Sequence, residues 1–395
     1  MAPWTRQQTG NPPTPKSCGT VDSTNARRLR AILKDGYSPC LVHGDDFLAV
    51  GTRSELSVIE ALLTGNYECK VQYTGLEEGM ERSVRILGQH VTYTDDGLSY
   101  EADPVHAEIS IQALGLDGAR SVATPCSAES ASGETGGAVR ARRLLEDEVC
   151  RADGVEDPEL DDERRVIYVS ITARLNYLSQ DRPDIQYAVK ELTRRSSSPS
   201  ESDWVRLKRV GRYLIDNRRL VLRFPWAPLC KEVQVFADAN FAGCARTRKS
   251  TSGGAARWGQ AALKTWSKTQ ATIALSTGES ELAAVVRAAT EGLGLKSVLS
   301  DFGYLVTVII HSDATAAIGM VQRRGLGKVR HLAVADLWIQ QKIGLKEIYI
   351  QKVWTKFNPA DMLTKGLDRE SILGHLVRLG FAWRTGRHPL APTRT

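Results

Sequence analysis

The stretch EVQVFADANFAG (232–243), followed by TSGGAARWG (251–259) and ALKTWSK (262–268), decides the fold class of the C-terminal half. Each is a short run of β-branched, aromatic or small residues bounded by Gly or a polar break, so the three read as consecutive β-strands. A long helical segment follows, STGESELAAVVRAATEGLGLKSVLSDFG (276–303). VTVIIHSD (306–313) is strand-like, DATAAIGMVQRR (313–324) helical, KEIYIQKVW (346–354) strand-like and NPADMLTKGL (358–367) helical. Strands in a run, then alternating helices and strands, predict a mixed α/β sheet domain.

Upstream, VSITARLNYLSQ (169–180) and DIQYAVKELTRRS (184–196) read as helices. So does SDWVRLKRVGRYLID (202–216), where Trp204, Leu207, Val210 and Leu214 recur at helix spacing. SAESASGETGG (127–137) and VEDPELDDE (155–163) are small, polar and acidic, and read as a linker or surface insertion. Nearer the N-terminus, VRILGQHVTYTDDGLSYEA (84–102) reads as two strands around Asp95, Asp96 and Gly97. SELSVIEALLTG (54–65) reads as a helix opened by Ser54. PCLVHGDDFLAVG (39–51) reads as a hairpin with Asp45 and Asp46 at its turn. The first ~35 residues, rich in Pro, Thr, Gln and Arg, read as mostly disordered.

The 395 residues, 42% hydrophobic and 25% charged, are enough for two or three domains at ~100–200 residues each. No window approaches the ~18 consecutive apolar residues of a membrane helix, and the N-terminus lacks a signal-peptide core, so no membrane partner is expected. The net charge of +6 permits a nucleic-acid partner without demanding one. Seven scattered cysteines with no CxxC pair indicate neither a disulfide framework nor a zinc finger, and fit a reducing compartment, cytoplasm or nucleus.

Four acids stand at telling places. Asp238 and Asp313 end apolar runs, Glu281 sits early in the long helix and Asp361 begins the last helical stretch. Acids at strand ends and helix starts can converge on one edge of a sheet, and converging carboxylates suit a hard divalent cation. Two such cations ~3.5–4 Å apart would clamp a phosphodiester. Taken singly, each acid has a plainer reading. Asp238 and Asp313 fit turns or caps, Asp361 a helix-start charge, and Glu281 a solvated helix face, with Glu279 close by.

The surrounding motifs ADANFAG, RKSTSGG, WSKTQATIALSTGESELAA, HSDATAAIGM and NPADMLTKGL, in that order, resemble the ribonuclease H domain of copia-type retrotransposon Pol polyproteins over residues ~233–368. The resemblance implies that Asp238, Glu281, Asp313 and Asp361 are the catalytic, metal-binding acids, with Mg²⁺ (or Mn²⁺) as cofactor. Glu281 is preferred to Glu279 because the LAAVV that follows aligns with the family's catalytic helix. VHGDDFLAVG resembles the two-Asp hairpin of a reverse transcriptase palm. RILGQHVTY, RLNYLSQDRPDIQYAVKELTR and DWVRLKRVGRYL resemble its thumb and connection. Asp45 and Asp46 are then polymerase remnants, since the family's third palm acid and its fingers have no counterpart here.

The resemblance thus implies an α/β chain, an α+β palm and connection remnant followed by a ribonuclease H-like mixed-sheet domain. The expected divisions are an unassigned N-terminus (1–38), a palm/thumb remnant (39–123), a linker (124–164), connection-like helices (165–225), the ribonuclease H-like domain (226–370) and a tail (371–395). The expected activity is Mg²⁺-dependent hydrolysis of the RNA strand of RNA–DNA hybrids, with a truncated polymerase inactive alone. The alternative is a non-catalytic nucleic-acid-binding or degenerate fragment. Expected partners are RNA–DNA hybrid, DNA, RNA and other retroelement polyprotein products, and the expected location is the cytoplasm or nucleus, a cytoplasmic particle first of all. Arg246, Arg248 and Lys249, with Arg323, Arg324, Lys328 and Arg330, are the candidate backbone-phosphate contacts. A third basic group is Arg194, Arg195, Arg206, Lys208, Arg209 and Arg212, and solvated helix faces are the plainer reading of any one of the three groups. His331 is given no catalytic role, and Trp266 is assigned to the core.

Overall fold

A computed structural model describes residues 2–7, 40–127, 157–244, 246–325 and 334–392, which divide into two compact units. The first comprises 1–100 with 301–304. Strand β1 (Ala2–Gln7), within the stretch expected to be mostly disordered, pairs antiparallel with two others. β2 (Cys40–His43) and β3 (Asp46–Gly51) form the expected hairpin, and β4 (Lys70–Tyr73) completes the order β2-β3-β1-β4. The hairpin turn is Gly44-Asp45, with Gly44 at φ +58°, and Asp46 already pairs with His43. A Gly with positive φ at the first loop position is what a type II′ turn requires.

Helix α1 (Arg53–Thr64) buries Leu56, Ile59 and Leu63 against Ala49. Its cap is Thr52, not Ser54. The Thr52 hydroxyl accepts from the Glu55 amide while the Glu55 carboxylate takes the Thr52 N–H at 2.6 Å, a capping box. The stretch 84–102, expected as two strands, contains three: β5 (Ser83–Ile86), β6 (Gln89–Thr94) and β7 (Gly97–Ala102). The additional turn is Leu87-Gly88, both at positive φ. A Leu there carries no turn signal in sequence, which is why the run read as continuous.

In the second unit, α2 (Val105–Ala113), α3 (Asp162–Leu178), α4 (Pro183–Thr193) and α5 (Glu201–Asp216) bury Ile111, Tyr168, Leu175, Val189, Leu207 and Leu214 in one core. At the α3–α4 turn Arg182, 1% exposed, grips Asp184 through two bonds of 2.8 and 2.7 Å. It also donates to the Asn217 and Arg218 carbonyls beyond α5. β8 (Arg219–Pro225), not expected from the sequence, pairs antiparallel with a strand of the C-terminal segment.

The mixed sheet is built as the sequence implies. β9 (Glu232–Asn240), β10 (Thr251–Trp258) and β11 (Ala261–Thr269) are antiparallel. α6 (Thr277–Asp301) then leads to β12 (Thr307–Ser312), which runs parallel to β9. α7 (Thr315–Gln322) and α8 (Val334–Gly344), the latter not expected, precede β13 (Ile348–Lys352), parallel to β12. The order is β11-β10-β9-β12-β13. Gly292 lets α6 approach the sheet, since a Cβ there would stand 2.6 Å from Val308. Trp266 is buried over Gly254, as expected for a core residue.

The stretch 358–367, expected as a helix, is a 3₁₀ turn, Pro359–Leu363, followed by α9 (Arg369–Arg378). Asp361 therefore sits inside a short turn and not at a helix start. β14 (Phe381–Arg384), in the segment expected as a tail, pairs with β8.

Candidate metal centre

Asp238 lies near the end of β9, opposite Gly253 of β10. The absent side chain at Gly253 makes room for the 3₁₀ turn. A Cβ there would meet Thr364 at 2.6 Å and the Ala360 carbonyl at 2.9 Å. Asn358 fixes the turn from below: its Nδ2 donates to the Ala237 carbonyl at 3.0 Å, and its Oδ1 accepts from the Ala360 amide at 3.2 Å. Asp361 and Thr364 are thereby laid beside Asp238, and the Thr364 hydroxyl donates to Asp238 Oδ2. β12 runs parallel to β9, with His311 opposite Phe236, so Asp313 emerges just beyond the strand end on the Asp238 side. Its Oδ2 accepts from Thr355 Oγ1 at 2.7 Å. Glu281 is contributed by the second turn of α6, and the Gln270 amide holds the adjacent Ser280 carbonyl at 2.8 Å.

Carboxylate oxygens of Asp238, Glu281 and Asp313 all lie within 4.8 Å of one another. Asp238 and Glu281 are buried and Asp313 half-buried. Asp361, also buried, stands outside that group of three but is held by Lys365 at 3.2 Å. Glu279 is turned elsewhere, its carboxylate accepting from the Leu275 amide at 2.8 Å. The geometry groups Glu281 with Asp238 and Asp313.

Crowding of like charge shows in the protonation equilibria. Burial raises the Asp238 carboxyl, with the Asp313 charge adding to it. Burial and then the Asp238 and Asp313 charges push Glu281 up to about 9. Burial and then the Asp238 charge bring Asp361 to about 7, against the pull of Lys365. Burial works to lower Lys365, but the Asp238, Asp361 and Asp313 charges outweigh it and raise it. Among the described residues, the buried oxygens Glu281 Oε2 and Asp361 Oδ1 have no hydrogen-bond partner. An all-oxygen donor set with unsatisfied buried lone pairs and mutual repulsion fits a hard divalent cation such as Mg²⁺.

The other candidates lie elsewhere. Asp45 is exposed at the β2–β3 turn and Asp46 is half-buried at the start of β3. Among the described residues no third acid is grouped with either as a metal site. Arg246, Arg248 and Lys249 lie in the β9–β10 loop, the first two exposed. Arg248 takes φ +54°, the left-handed region. Arg323 is half-buried and Arg324 exposed, both just after α7. Lys328, Arg330 and His331 lie outside the described residues, as do 8–39 and 128–156. The basic residues of α5 and of the end of α4 just past Thr193 are partly engaged within the fold. Arg194 pairs with Glu191, Arg195 and Arg206 pair with Asp203, and Arg212 donates to the Arg120 carbonyl. Sequence reasoning missed Thr355, Asn358, Thr364 and Lys365. The last two were legible as neighbours of Asp361 in NPADMLTKGL, Lys365 at the i+4 spacing of an ion pair.

No protein-family model matches the sequence. Over 209 residues, 52% of this chain, it is 31% identical to the retrovirus-related Pol polyprotein from transposon TNT 1-94 of Nicotiana tabacum. Over 218 residues it is 27% identical to that of transposon RE1 of Arabidopsis thaliana. These matches span 16% and 15% of the two polyproteins. A 133-residue segment, 33% of this chain, is 36% identical to the secreted RxLR effector protein 161 of Plasmopara viticola and covers 93% of it. Among solved structures, a foamy viral protease–reverse transcriptase in complex with RNA/DNA hybrid aligns over 90% of this chain and 44% of its own, with 13% identity and a TM-score of 0.46. Over about half its length the chain's homologues are thus retrovirus-related Pol polyproteins of plant copia-type transposons, at 26–31% identity.

Proposed function

We propose that the chain hydrolyses the RNA strand of RNA–DNA hybrids in a divalent-cation-dependent reaction, leaving 5′-phosphate and 3′-hydroxyl ends. The observation that carries this reading is the convergence of Asp238, Glu281 and Asp313 within 4.8 Å, with Asp361 electrostatically joined to Asp238. Asp238, Glu281 and Asp313, with Asp361 beside Asp238, are the carboxylates that would hold a divalent cation. A Mg²⁺ pair held there would supply Lewis-acid polarisation of the phosphodiester and orientation of the attacking water.

The chain's own residues set the geometry. Thr364 directs Asp238 Oδ2 through its hydroxyl, and Thr355 does the same for Asp313 Oδ2. Asn358 anchors the turn that carries Asp361. Lys365 offsets part of the negative charge. The exposed loop cations Arg246 and Arg248 would meet backbone phosphates, a contact that adds affinity without base preference. Asp45 and Asp46, with no third acid grouped beside them among the described residues, are given no polymerase role.

A second reading, hybrid binding without hydrolysis, has one observation on its side. Lys365 places an ammonium among the acids and so neutralises part of their charge without a cation. The deciding experiment is cleavage of a labelled RNA–DNA hybrid by the purified chain in Mg²⁺, beside Asp238→Asn. Cleavage that disappears in the variant is expected. A folded chain that binds hybrid and cuts nothing would overturn hydrolysis in favour of the binding reading.

A further inference from the structure

On the same sheet face as Asp238, two residues back along β9, Phe236 opens a pocket of about 440 Å³ that uses none of the four acids. Its floor is a row across three strands: Arg257 of β10, Gln234 and Phe236 of β9, and His311 of β12. Its rim is Trp354 and Phe357, around the 3₁₀ turn Thr355–Phe357, with Arg378 at the end of α9.

Three features of this pocket converge on one class of ligand. First, it is faced with flat π-surfaces. Trp354 is 80% and Phe357 51% exposed, a large area of aromatic ring left to solvent. Second, it carries positive charge without a partner acid. Arg257 donates to the Gln234 side chain and to the Arg378 carbonyl, and neither Arg257 nor Arg378 is in an ion pair among the described residues. Instead, the guanidiniums lie over Phe236 and Phe357, 5.3 and 4.9 Å from the ring centroids. Third, its floor includes a polar ring. The His311 imidazole is stacked on Phe236 at 4.8 Å, and its buried Nε2 has no partner among the described residues. Aromatic faces and cations without a partner acid, beside a polar ring, match a flat heteroaromatic base bearing a phosphate. A purely apolar ligand would leave the guanidiniums unanswered, and a simple anion would leave the rings exposed.

We propose that this pocket binds an unpaired nucleotide, its base stacked on Trp354 or Phe357 and its phosphate met by Arg378 and Arg257. The nucleotide is either free or part of a single strand. Because the pocket shares no side chain with the acid cluster, binding here stands or falls apart from hydrolysis.

The test is equilibrium binding of a fluorescent dT octamer and of an abasic octamer to the full chain in EDTA, which removes hydrolysis. Stacking of one base predicts ~5–100-fold tighter binding of the dT octamer than of the abasic strand. Trp354→Ala should erase most of that difference, and Arg378→Gln should weaken both strands. Thermal melts of both variants check that they fold; Trp354 is largely exposed, so its truncation leaves the core intact. Competition by thymidine monophosphate but not by inorganic phosphate would identify a free nucleotide as sufficient. Base preference without such competition would assign the site to a strand. Equal affinity for the two octamers, or full retention of the difference by folded Trp354→Ala, would overturn the proposal.

Discussion

Glu281→Gln is expected to stabilise the cation-free protein while removing its capacity to hold a cation. In the folded chain the Glu281 carboxyl is pushed from 4.5 to about 9, by burial first and then by the Asp238 and Asp313 charges. Between those values the folded state keeps a proton that the unfolded state has released. Folding then takes up a proton, so stability is greatest below pH ~4.5 and falls as pH rises towards 9. By pH 7 the unfolded carboxyl has gained about 2.5 pH units of ionisation at ~1.4 kcal/mol each, a penalty of about 3 kcal/mol. An amide does not ionise, and its N–H₂ can donate to the neighbouring carboxylates. At ~2–4 °C per kcal/mol for a unit of this size, the variant should melt roughly 6–12 °C above the parent at pH 7 in EDTA. The gap should be small at pH 5 and widest near pH 9. Adding Mg²⁺ at pH 8 should raise the melting temperature of the parent and leave that of the variant nearly fixed. A parent melting temperature that is flat from pH 5 to 9 in EDTA would refute the reasoning, as would an equal loss of stability in Glu281→Gln at every pH. Either result would mean that the acids are not crowded in the folded state.

Other perturbations test the elements that position the site. Thr364→Val removes the hydroxyl on Asp238 Oδ2 and should weaken Mg²⁺ affinity roughly 10-fold or more, read from the Mg²⁺ dependence of melting. An unchanged dependence would make Thr364 a packing residue. Asp184→Asn leaves the buried Arg182 guanidinium without its counter-charge and should cost about 3–5 kcal/mol in urea unfolding. The double change Arg182→Met with Asp184→Leu should cost less than that single one; a larger loss would contradict the charge argument. Gly254→Ala puts a methyl 2.1 Å from the Trp266 ring and should destabilise by at least ~1–3 kcal/mol, visible in tryptophan fluorescence and melting.

Much of the mixed sheet was legible because its strands are bounded and its acids stand at element ends. Asp238 and Asp313 each follow an apolar run, and a parallel neighbour relation between those runs is enough to bring the two side by side. The resemblance over 233–368 then chose among readings that spacing alone left open. What the sequence concealed was mostly decided by tertiary pairing. β8 lies in a stretch that read as connection-like helices, and its partner β14 lies in a stretch that read as a tail. Leu87 occupies a turn that its side chain does not favour. Asp361 sits in a 3₁₀ turn because Asn358 and Pro359 set its start and Gly253 leaves a place for it on β10, and the second condition lies over a hundred residues away. Thr52 took the helix cap from Ser54 because Glu55 closes the reciprocal bond at three residues' distance, a pattern readable in TRSE but passed over.

The way the acids are delivered bears on why so costly an arrangement is retained. Each comes from a separate element, β9, α6, the end of β12 and the 3₁₀ turn, and each element is fixed by contacts that do not involve the carboxylates. Gly292 seats α6, Asn358 ties the turn to β9, and the backbone ladder sets β12 against β9. The repulsion is therefore imposed on the acids by a scaffold stable enough to hold them. Protonation of Glu281 and Asp361, and the ammonium of Lys365, relieve part of it. Those reliefs have different consequences. A proton is released as the pH rises or a cation enters, whereas Lys365 must either stay beside Asp361 or yield its place. If Lys365 is a resident counter-ion, Lys365→Met should lower stability in EDTA and tighten Mg²⁺ binding. If its ammonium instead helps to hold a phosphate beside the acids, Mg²⁺ affinity should change little while affinity for hybrid falls. Measuring both affinities on that one variant separates the two roles.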